Sequence, residues 1–239
     1  MKKLNIDFDK EVIYEKIFAT ILSSFLLIVS TNVHASFQLE TMTVILDAGE
    51  GRKVFNVKNT GNSPILLSTK VEELDGSTKL AGDIMISPPI VRIEPQQSQQ
   101  INFILKKGVD ISDEVILKAS FQGIGASKEN VTKMPIRQDV AMLVSPANMK
   151  VSQTPWDALS VSQKNNQLTL KNNGKQVIRL SPSFKVLPSN EDYALDQFYI
   201  RPGESKVVNI KGNATSISIS PLSRYGFKMS DNAILAVEH

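Results

Sequence analysis

Short apolar segments that alternate with polar residues are the feature that most limits the fold of this chain. After Phe37, strand-length runs recur roughly every 10 residues. Examples are FNVKN, INFILKK, LTLKN, KVVNI and SISIS, and turn signals such as Asp-Gly and Asn-Asn-Gly separate them. No long stretch keeps the 3.6-residue period of an amphipathic helix. The pattern therefore predicts an all-β fold made of β-sandwiches.

A polar segment with two prolines, SPANMKVSQTPW (145–156), follows a clear strand and is typical of a linker between domains. We expect an N-terminal domain at residues 36–146 and a C-terminal domain at residues 155–239. Each has about the size of an immunoglobulin-like sandwich, which is roughly 100 residues.

The N-terminus carries an apolar run, IFATILSSFLLIV, with Val33 and Ala35 placed like the small residues of a signal-peptidase site. The run is shorter than the roughly 20 residues that cross a bilayer. Residues 1–35 are therefore predicted to be a signal peptide that exports the protein without stable membrane insertion. A signal anchor is the alternative.

The composition excludes several classes of function. The 239 residues include no cysteine, and the two histidines are His34 and His239. Disulfides, thiolate metal sites and histidine-based catalysis inside the fold are therefore not expected. The net charge is +3, no run of more than two basic residues occurs, and no glycine-rich phosphate loop is present. We expect no enzyme, no cofactor, no metal site and no nucleic-acid partner.

The stretch SPPIVRIEPQQSQQINF (87–103) resembles the N-domain signature of the periplasmic chaperones of the chaperone–usher pilus pathway. The matching positions are Ser87, Pro88, Pro89, Arg92, Ile93 and Pro95. ILDAGEGRKVFNVKNTGNSP resembles the first hairpin of that family, and LTLKNNG, YIRPGES and SRYGF resemble segments of its second domain. The resemblance covers nearly all of the chain after the predicted leader.

This resemblance implies two immunoglobulin-like β-sandwich domains arranged at an angle with a cleft between them. It implies a periplasmic chaperone that binds fimbrial subunits by donor-strand complementation, an established form of strand addition, and delivers them to an outer-membrane usher. The exposed apolar strand would also offer a surface for self-association of the free chain. The alternative is a secreted structural or adhesive sandwich protein such as a pilus subunit, which would have a single incomplete domain.

The strand before the linker, KMPIRQDVAMLVSP, is the donor strand that the resemblance implies. Its residues of one parity line one face. The predicted subunit-binding residues on this face are Met134, Ile136, Gln138 and Val140. Met134 and Ile136, at the outer end, are expected to enter the partner, whereas Met142 and Val144 on the same face are expected to fill the domain's own core.

Members of the family hold the subunit's C-terminal carboxylate with two basic residues, and those positions fall here at Thr43 and Ala141. Neither is basic. If the strand beginning at Glu114 pairs with the donor strand so that 114 lies opposite 145, Lys118 lies opposite Ala141. Lys118 is then the candidate carboxylate anchor. The alternative is a lysine that extends into solvent.

The resemblance also implies a charged contact between the domains, and its positions fall at Glu114, Ser145 and Arg224. Ser145 stands where the family has a basic residue, and Arg224 is a basic residue where the family has none. We therefore predict a direct ion pair between Glu114 and Arg224.

Overall fold

The computed structural model describes residues 37–125, 134–229 and 231–239, and its regular structure is almost entirely β. The predicted signal peptide lies outside these residues. Two short 3₁₀ helices, Ala81–Asp83 and Pro155–Ala158, accompany the strands. Within the three described ranges no helix has the length and apolar character needed to cross a membrane.

The first sandwich consists of a four-stranded and a five-stranded sheet. Its strands are β1 (Phe37–Leu39), β2 (Thr43–Asp47), β3 (Arg52–Asn59), β4 (Ile65–Glu73), β5 (Ile84–Ser87), β6 (Ile90–Ile93), β7 (Ser98–Leu105), β8 (Val115–Gly125) and β9 (Ile136–Ser145). The sheet orders are β1-β3-β7-β5 and β2-β9-β8-β4-β6. β2 runs parallel to β9, and the other pairings in these two sheets are antiparallel.

Three phenylalanines join the two sheets at the centre of this sandwich. Phe55 and Phe103 come from the four-stranded sheet, and Phe121 comes from the five-stranded sheet. The rings of Phe55 and Phe121 stack at 5.4 Å, and Phe103 meets Phe121 edge to face at 6.2 Å. Each side chain is fully buried, so the trio anchors one continuous core between the sheets.

The second sandwich is built from smaller sheets. Its strands are β10 (Leu159–Lys164), β11 (Gln167–Asn172), β12 (Ile178–Arg179), β13 (Ser183–Leu187), β14 (Glu191–Ala194), β15 (Tyr199–Ile200), β16 (Ser205–Asn209), β17 (Ser216–Ile219) and β18 (Ala233–Ala236). The sheet orders are β10-β11-β16, β12-β15 and β14-β13-β17-β18. They enclose a separate core that includes Leu168, Leu170, Phe184 and Ile217.

The ladder between β8 and β9 has the predicted register. Lys118 lies opposite Ala141, and Leu117 lies opposite Met142. Because side chains alternate between faces, Leu117 and Met142 point into the first core, whereas Lys118 and Ala141 lie on the outer face. The outer face is the side that the second sandwich meets.

An apolar cluster joins the two sandwiches on this outer face. Ile116 and Leu143 of the first sandwich pack against Val177 and Tyr199 of the second, and all four are at most 4% exposed. Burial at this level contributes roughly 1.5–3 kcal/mol for a large apolar side chain. The two sandwiches are therefore packed together and not merely tethered.

A turn after β4 adds a polar contact between the sandwiches. Arg201 Nη1 donates a hydrogen bond to the backbone oxygen of Asp75 at 2.9 Å. Gly76 has a φ of +70°, and a Cβ there would lie 3.2 Å from Arg201 Nη2. Glycine therefore satisfies both the left-handed backbone and the close approach of the guanidinium.

The same arginine organises a charge cluster in the second sandwich. Glu204 accepts hydrogen bonds from the backbone N–H and the guanidinium of Arg201, and Lys206 Nζ lies 3.1 Å from Glu204 Oε1. Burial opposes ionisation of Glu204, but these hydrogen bonds outweigh it and lower its pKa from 4.5 to about 2.

Glu204→Gln should change how stability depends on acidity. The native carboxyl has the lower pKa, so its stabilising effect is complete above about 4.5 and disappears as the pH falls toward about 2. We expect the variant to be less stable than wild type at neutral pH, with a difference that shrinks as the pH falls from about 4.5 through about 2. Urea denaturation across this range gives the free energy of unfolding, and a gap that stays constant with pH would contradict the assignment.

Candidate functional site

The outer half of β9 has one open backbone edge. β8 pairs with β9 along its whole length, from Ile136 to Val144, whereas β2 reaches only Ala141–Ser145 on the other side. Within the parts of the chain that the structure describes, no strand pairs with that second edge at Ile136–Val140. An open edge presents unpaired N–H and C=O groups to which another chain can add a strand.

The apolar side chains along this edge differ in how much they are exposed. Met134 precedes the strand and is 85% exposed, whereas Ile136 is partly buried against the first core. Val140 differs from the expectation that it faces a partner. It is 4% exposed in the core of its own sandwich, because the two sheets already close over this part of the strand. Met142 and Val144 fill that core as predicted.

Gln138 is the polar member of the same face, and the structure explains it by a local contact. Its Nε2 donates a hydrogen bond to the backbone oxygen of Phe37 at 3.0 Å. The amide therefore satisfies a carbonyl at the start of β1, next to a buried phenylalanine ring. The role of Gln138 within the isolated chain is to hold β1 against β9.

A charge cluster covers the outer face beside the open edge. Lys118 Nζ lies 2.8 Å from Glu72 Oε2, and Arg137 contacts both Glu72 at 3.2 Å and Asp139 at 2.8 Å. The hydrogen bond from Lys118 is the main cause of the lowered pKa of Glu72. Two cations thus balance two carboxylates. No group of three or more histidine or acidic side chains in the described residues is arranged to hold a metal ion.

Four residues form a row across the five-stranded sheet at this level. Thr43 lies opposite Ala141, Ala141 opposite Lys118, and Lys118 opposite Glu72. The small Ala141 leaves space beside Lys118, whose side chain is 32% exposed. The residues predicted from the sequence therefore lie together, but Glu72 was not expected to be the partner of Lys118.

A buried carboxylate connects the two sandwiches at the inner end of the β8–β9 ladder. Glu114 Oε1 accepts hydrogen bonds from Ser145 Oγ at 2.9 Å and from Arg224 Nη2. Its Oε2 accepts one from the backbone N–H of Val177 at 3.0 Å. The Glu114 side chain is fully buried and that of Arg224 is 21% exposed. The contact is therefore one hydrogen-bonded network of Glu114, Ser145 and Arg224, the three positions that the family resemblance indicated.

Arg179 is a buried residue of the contact between the sandwiches that the sequence analysis missed. It is 6% exposed, and its Nη1 donates hydrogen bonds to Thr43 Oγ1 and to the backbone oxygen of Arg224, each at 2.8 Å. Its guanidinium carbon lies 5.6 Å from the centre of the Phe198 ring. The sequence held one signal that Arg179 is buried: it lies in the apolar run VIRL, whose other side chains are expected to be buried.

The comparisons with known proteins agree on one family. Residues 36–150 match the family model of the pili and flagellar-assembly chaperone, PapD N-terminal domain. The uncharacterized fimbrial chaperone YhcA of Escherichia coli strain K12 is 30% identical over 194 residues, which is 79% of this chain and 85% of that protein.

Solved structures of chaperones share the fold. A chain in the Salmonella enterica complex of SafA pilin with the SafB chaperone aligns with a TM-score of 0.70 and 20% identity, over 86% of this chain and 98% of that one. The Escherichia coli chaperone DraB aligns with a TM-score of 0.68 and 19% identity, over 85% and 98% of the two chains. The predicted all-β fold with two immunoglobulin-like domains is confirmed.

Removing Arg224 should destabilise the protein strongly. Arg224→Gln leaves the fully buried carboxylate of Glu114 without its cation, and loss of one partner of a buried pair costs about 3–5 kcal/mol. The double variant Glu114→Gln/Arg224→Gln should lose less, because it leaves no buried carboxylate without its cation. Urea denaturation measures both changes in the free energy of unfolding.

The matched control is Arg92→Gln, which removes a pair with Glu94 whose side chains are 62% and 55% exposed. An exposed pair of this kind contributes little to stability, so Arg92→Gln should unfold at nearly the same urea concentration as wild type. Equal losses for Arg92→Gln and Arg224→Gln would show that burial does not determine the strength of the Glu114 contact.

Proposed function

The chain belongs to the family of pili and flagellar-assembly chaperones, and on that premise we propose that it captures fimbrial subunits by lending them the open edge of β9. The observation that carries the proposal is the unpaired stretch Ile136–Val140, with Met134 85% exposed at its outer end. A subunit strand added there would gain backbone hydrogen bonds. Met134 and Ile136 would supply the apolar contacts.

The kind of partner follows from what the relatives bind. A related structure contains SafA pilin with the SafB chaperone, and another contains the chaperone CsuC with the tip adhesion subunit CsuE. By extension, the partners of this chain are fimbrial subunits whose sandwich lacks a strand, and an outer-membrane usher receives them. The predicted leader at residues 1–35 and the membership of this family support a location in the periplasm.

Lys118 is the proposed contact for a carboxylate of the captured subunit. Its ammonium group lies on the outer face next to Ala141, at the level where β2 begins to cover β9. In the free protein Glu72 occupies this ammonium, and Arg137 shares the same carboxylate. A subunit carboxylate would replace Glu72 on Lys118, and Arg137 would retain Glu72. After the exchange Lys118 binds the subunit carboxylate, and Arg137 is shared by Glu72 and Asp139.

The alternative that this chain is itself a pilus subunit has less support. Each of the two sandwiches encloses its own buried core, and the related fimbrial chaperone YhcA matches over 79% of the chain. In the absence of a subunit, the same edge of β9 would be open to pairing with a second copy of the chain.

Acidic substitutions at the outer end of β9 should abolish subunit capture. Met134→Asp places a charge on a side chain that is already 85% exposed, so the fold of the free protein should be unchanged. In the complex the same charge would enter an apolar groove, at the loss of roughly 1.5–3 kcal/mol of apolar burial. Co-expression with a fimbrial subunit, followed by affinity recovery, measures capture. Ile136→Asp should also abolish capture, and because Ile136 is partly buried against the first core, its urea denaturation is compared with that of wild type.

Ile234→Asp is the matched control, because Ile234 is 61% exposed on β18 of the other sandwich. This variant should capture subunits as wild type does. Normal recovery of subunits with both Met134→Asp and Ile136→Asp would rule out the open edge as the capture site.

Substitutions at Lys118 and Glu72 should change subunit affinity in opposite directions. Lys118→Met removes the proposed carboxylate contact and should weaken binding about tenfold, the effect of losing one charge-assisted hydrogen bond. Glu72→Gln frees Lys118 and should strengthen binding. Calorimetry with a purified subunit gives both affinities.

Lys106→Met serves as the control, since Lys106 pairs with Asp83 at an exposed site on the first sandwich. A subunit extended at its C-terminus should bind wild type and Lys118→Met equally. If Glu72→Gln weakens binding as much as Lys118→Met does, the two residues act as a pair that supports the fold, and Lys118 is not the anchor.

A further inference from the structure

Met134 has the highest exposure among the exposed large apolar side chains of the residues that the structure describes, at 85%. The chain contains no cysteine, so all of its sulfur atoms belong to methionines. Met42 and Met85 are each 55% exposed, and Met142, on the same face of β9 as Ile136, is fully buried. Met134 therefore offers the most accessible sulfur in the described part of the chain.

This sulfur lies at the outer end of the open edge of β9. Ile136 is the first residue of β9 and pairs with Gly123 of β8, so Met134 lies just beyond the last paired position. Ile136 packs against the first core, whereas Met134 is not part of that core. Pro135 between them has no backbone N–H to donate. The proposed function makes Met134 a side chain that a captured subunit covers, and the role assigned to it here rests on that function.

An exposed methionine can react with a peroxide without help from the protein. The thioether sulfur attacks one oxygen of hydrogen peroxide, the O–O bond breaks, and the other oxygen leaves as water after a proton transfer. The sulfur loses two electrons, the peroxide gains them, and the product is methionine sulfoxide. The change is reversible, because methionine sulfoxide reductases return two electrons from a pair of thiols and release the sulfoxide oxygen as water.

The oxidised side chain no longer suits an apolar groove. The sulfoxide replaces a flexible apolar thioether with a polar and chiral group. Burial of a polar group without a hydrogen-bond partner opposes binding, by an amount that corresponds to about tenfold in affinity. In the free protein the same group stays in water, because Met134 is 85% exposed, so the fold is unaffected.

We propose that Met134 is a reversible oxidation site that turns off subunit capture in the free chain, with peroxides as the class of oxidant. A captured subunit covers the sulfur and protects it. Peroxide therefore prevents new capture and leaves subunits that are already bound in place. Capture resumes when a reductase restores the thioether.

Two other methionines serve as references within the same molecule. Met142 lies in the first core, where peroxide reaches it only when the sandwich opens. Met85 is exposed on β5 of the four-stranded sheet and not on β9. Met85 therefore has an accessible sulfur away from the capture edge, and Met142 lies on β9 without an accessible sulfur.

The first test compares subunit affinity before and after treatment with hydrogen peroxide, by calorimetry. Mass spectrometry of peptides detects the oxygen added to each methionine, and treatment stops when Met134 is converted and Met142 is not. Oxidised wild type should bind a purified fimbrial subunit about tenfold more weakly than untreated wild type. Met134→Leu, which keeps Met42 and Met85, should have the same affinity after treatment as before it. Met85→Leu should lose affinity on treatment as wild type does.

Equal affinity of wild type before and after conversion of Met134 would overturn the proposal, and so would an equal loss of affinity in Met134→Leu. A wild type that binds no subunit before treatment would reject the proposed function, and the oxidation switch with it. Urea denaturation should give the same midpoint for oxidised and untreated protein. A lower midpoint after oxidation would show that the loss of capture comes from the fold and not from the edge of β9.

The second test measures reversal and protection. Incubation with the two methionine sulfoxide reductases, one for each epimer, and dithiothreitol should restore the Met134 thioether and the affinity together. A restored thioether without restored affinity would contradict the proposal. In the complex with a subunit, peroxide should oxidise Met134 several-fold more slowly than in the free chain, whereas Met85 should react at the same rate in both. Equal rates at Met134 would show that capture does not cover this sulfur.

Discussion

The ladder between β8 and β9 places residues 118 and 141 opposite each other, and a slip of one residue would turn every side chain of β9 to the wrong face. Its inner face carries Phe121 and Met142 into the core. On the outer face, Leu143 meets the second sandwich at one end, and Lys118 lies further along. Core, domain contact and open edge therefore depend on a single register, which the rigid core holds in place.

The buried charge of Glu114 fixes the position of one sandwich on the other, which apolar packing alone does not do. The cluster around Ile116 and Tyr199 could slide without losing much buried area, because the hydrophobic effect is non-directional. Glu114 cannot slide in this way, because its two oxygens bind Ser145, Arg224 and the backbone N–H of Val177. The desolvation of this carboxylate is costly, so the sandwiches are held where all three partners reach it.

Sequence reasoning succeeded where the relevant residues are close along one ladder. The family resemblance suggested that 114 lies opposite 145, and the regular spacing of an antiparallel ladder then placed Lys118 opposite Ala141. It failed where a third strand or the other sandwich supplies the partner. Glu72 reaches Lys118 only through the β4–β8 register, and Arg179 reaches Thr43 across 136 positions of sequence. Val140 was misplaced because alternation identifies a face but not how far the core extends along it.

The positive charge next to Thr43 comes from a residue of the second sandwich and not from β2 itself. The family resemblance implies a basic residue at this position on β2, and here the chain has a threonine that is 1% exposed. Arg179 of the second sandwich brings a guanidinium to its hydroxyl at 2.8 Å. A cation on β2 would be present whether or not the second sandwich is packed against the first. A cation carried by β12 is present only when the sandwiches are packed together. The electrostatics of this region and the contact made by Glu114 are therefore coupled, since both depend on the same docking of the second sandwich.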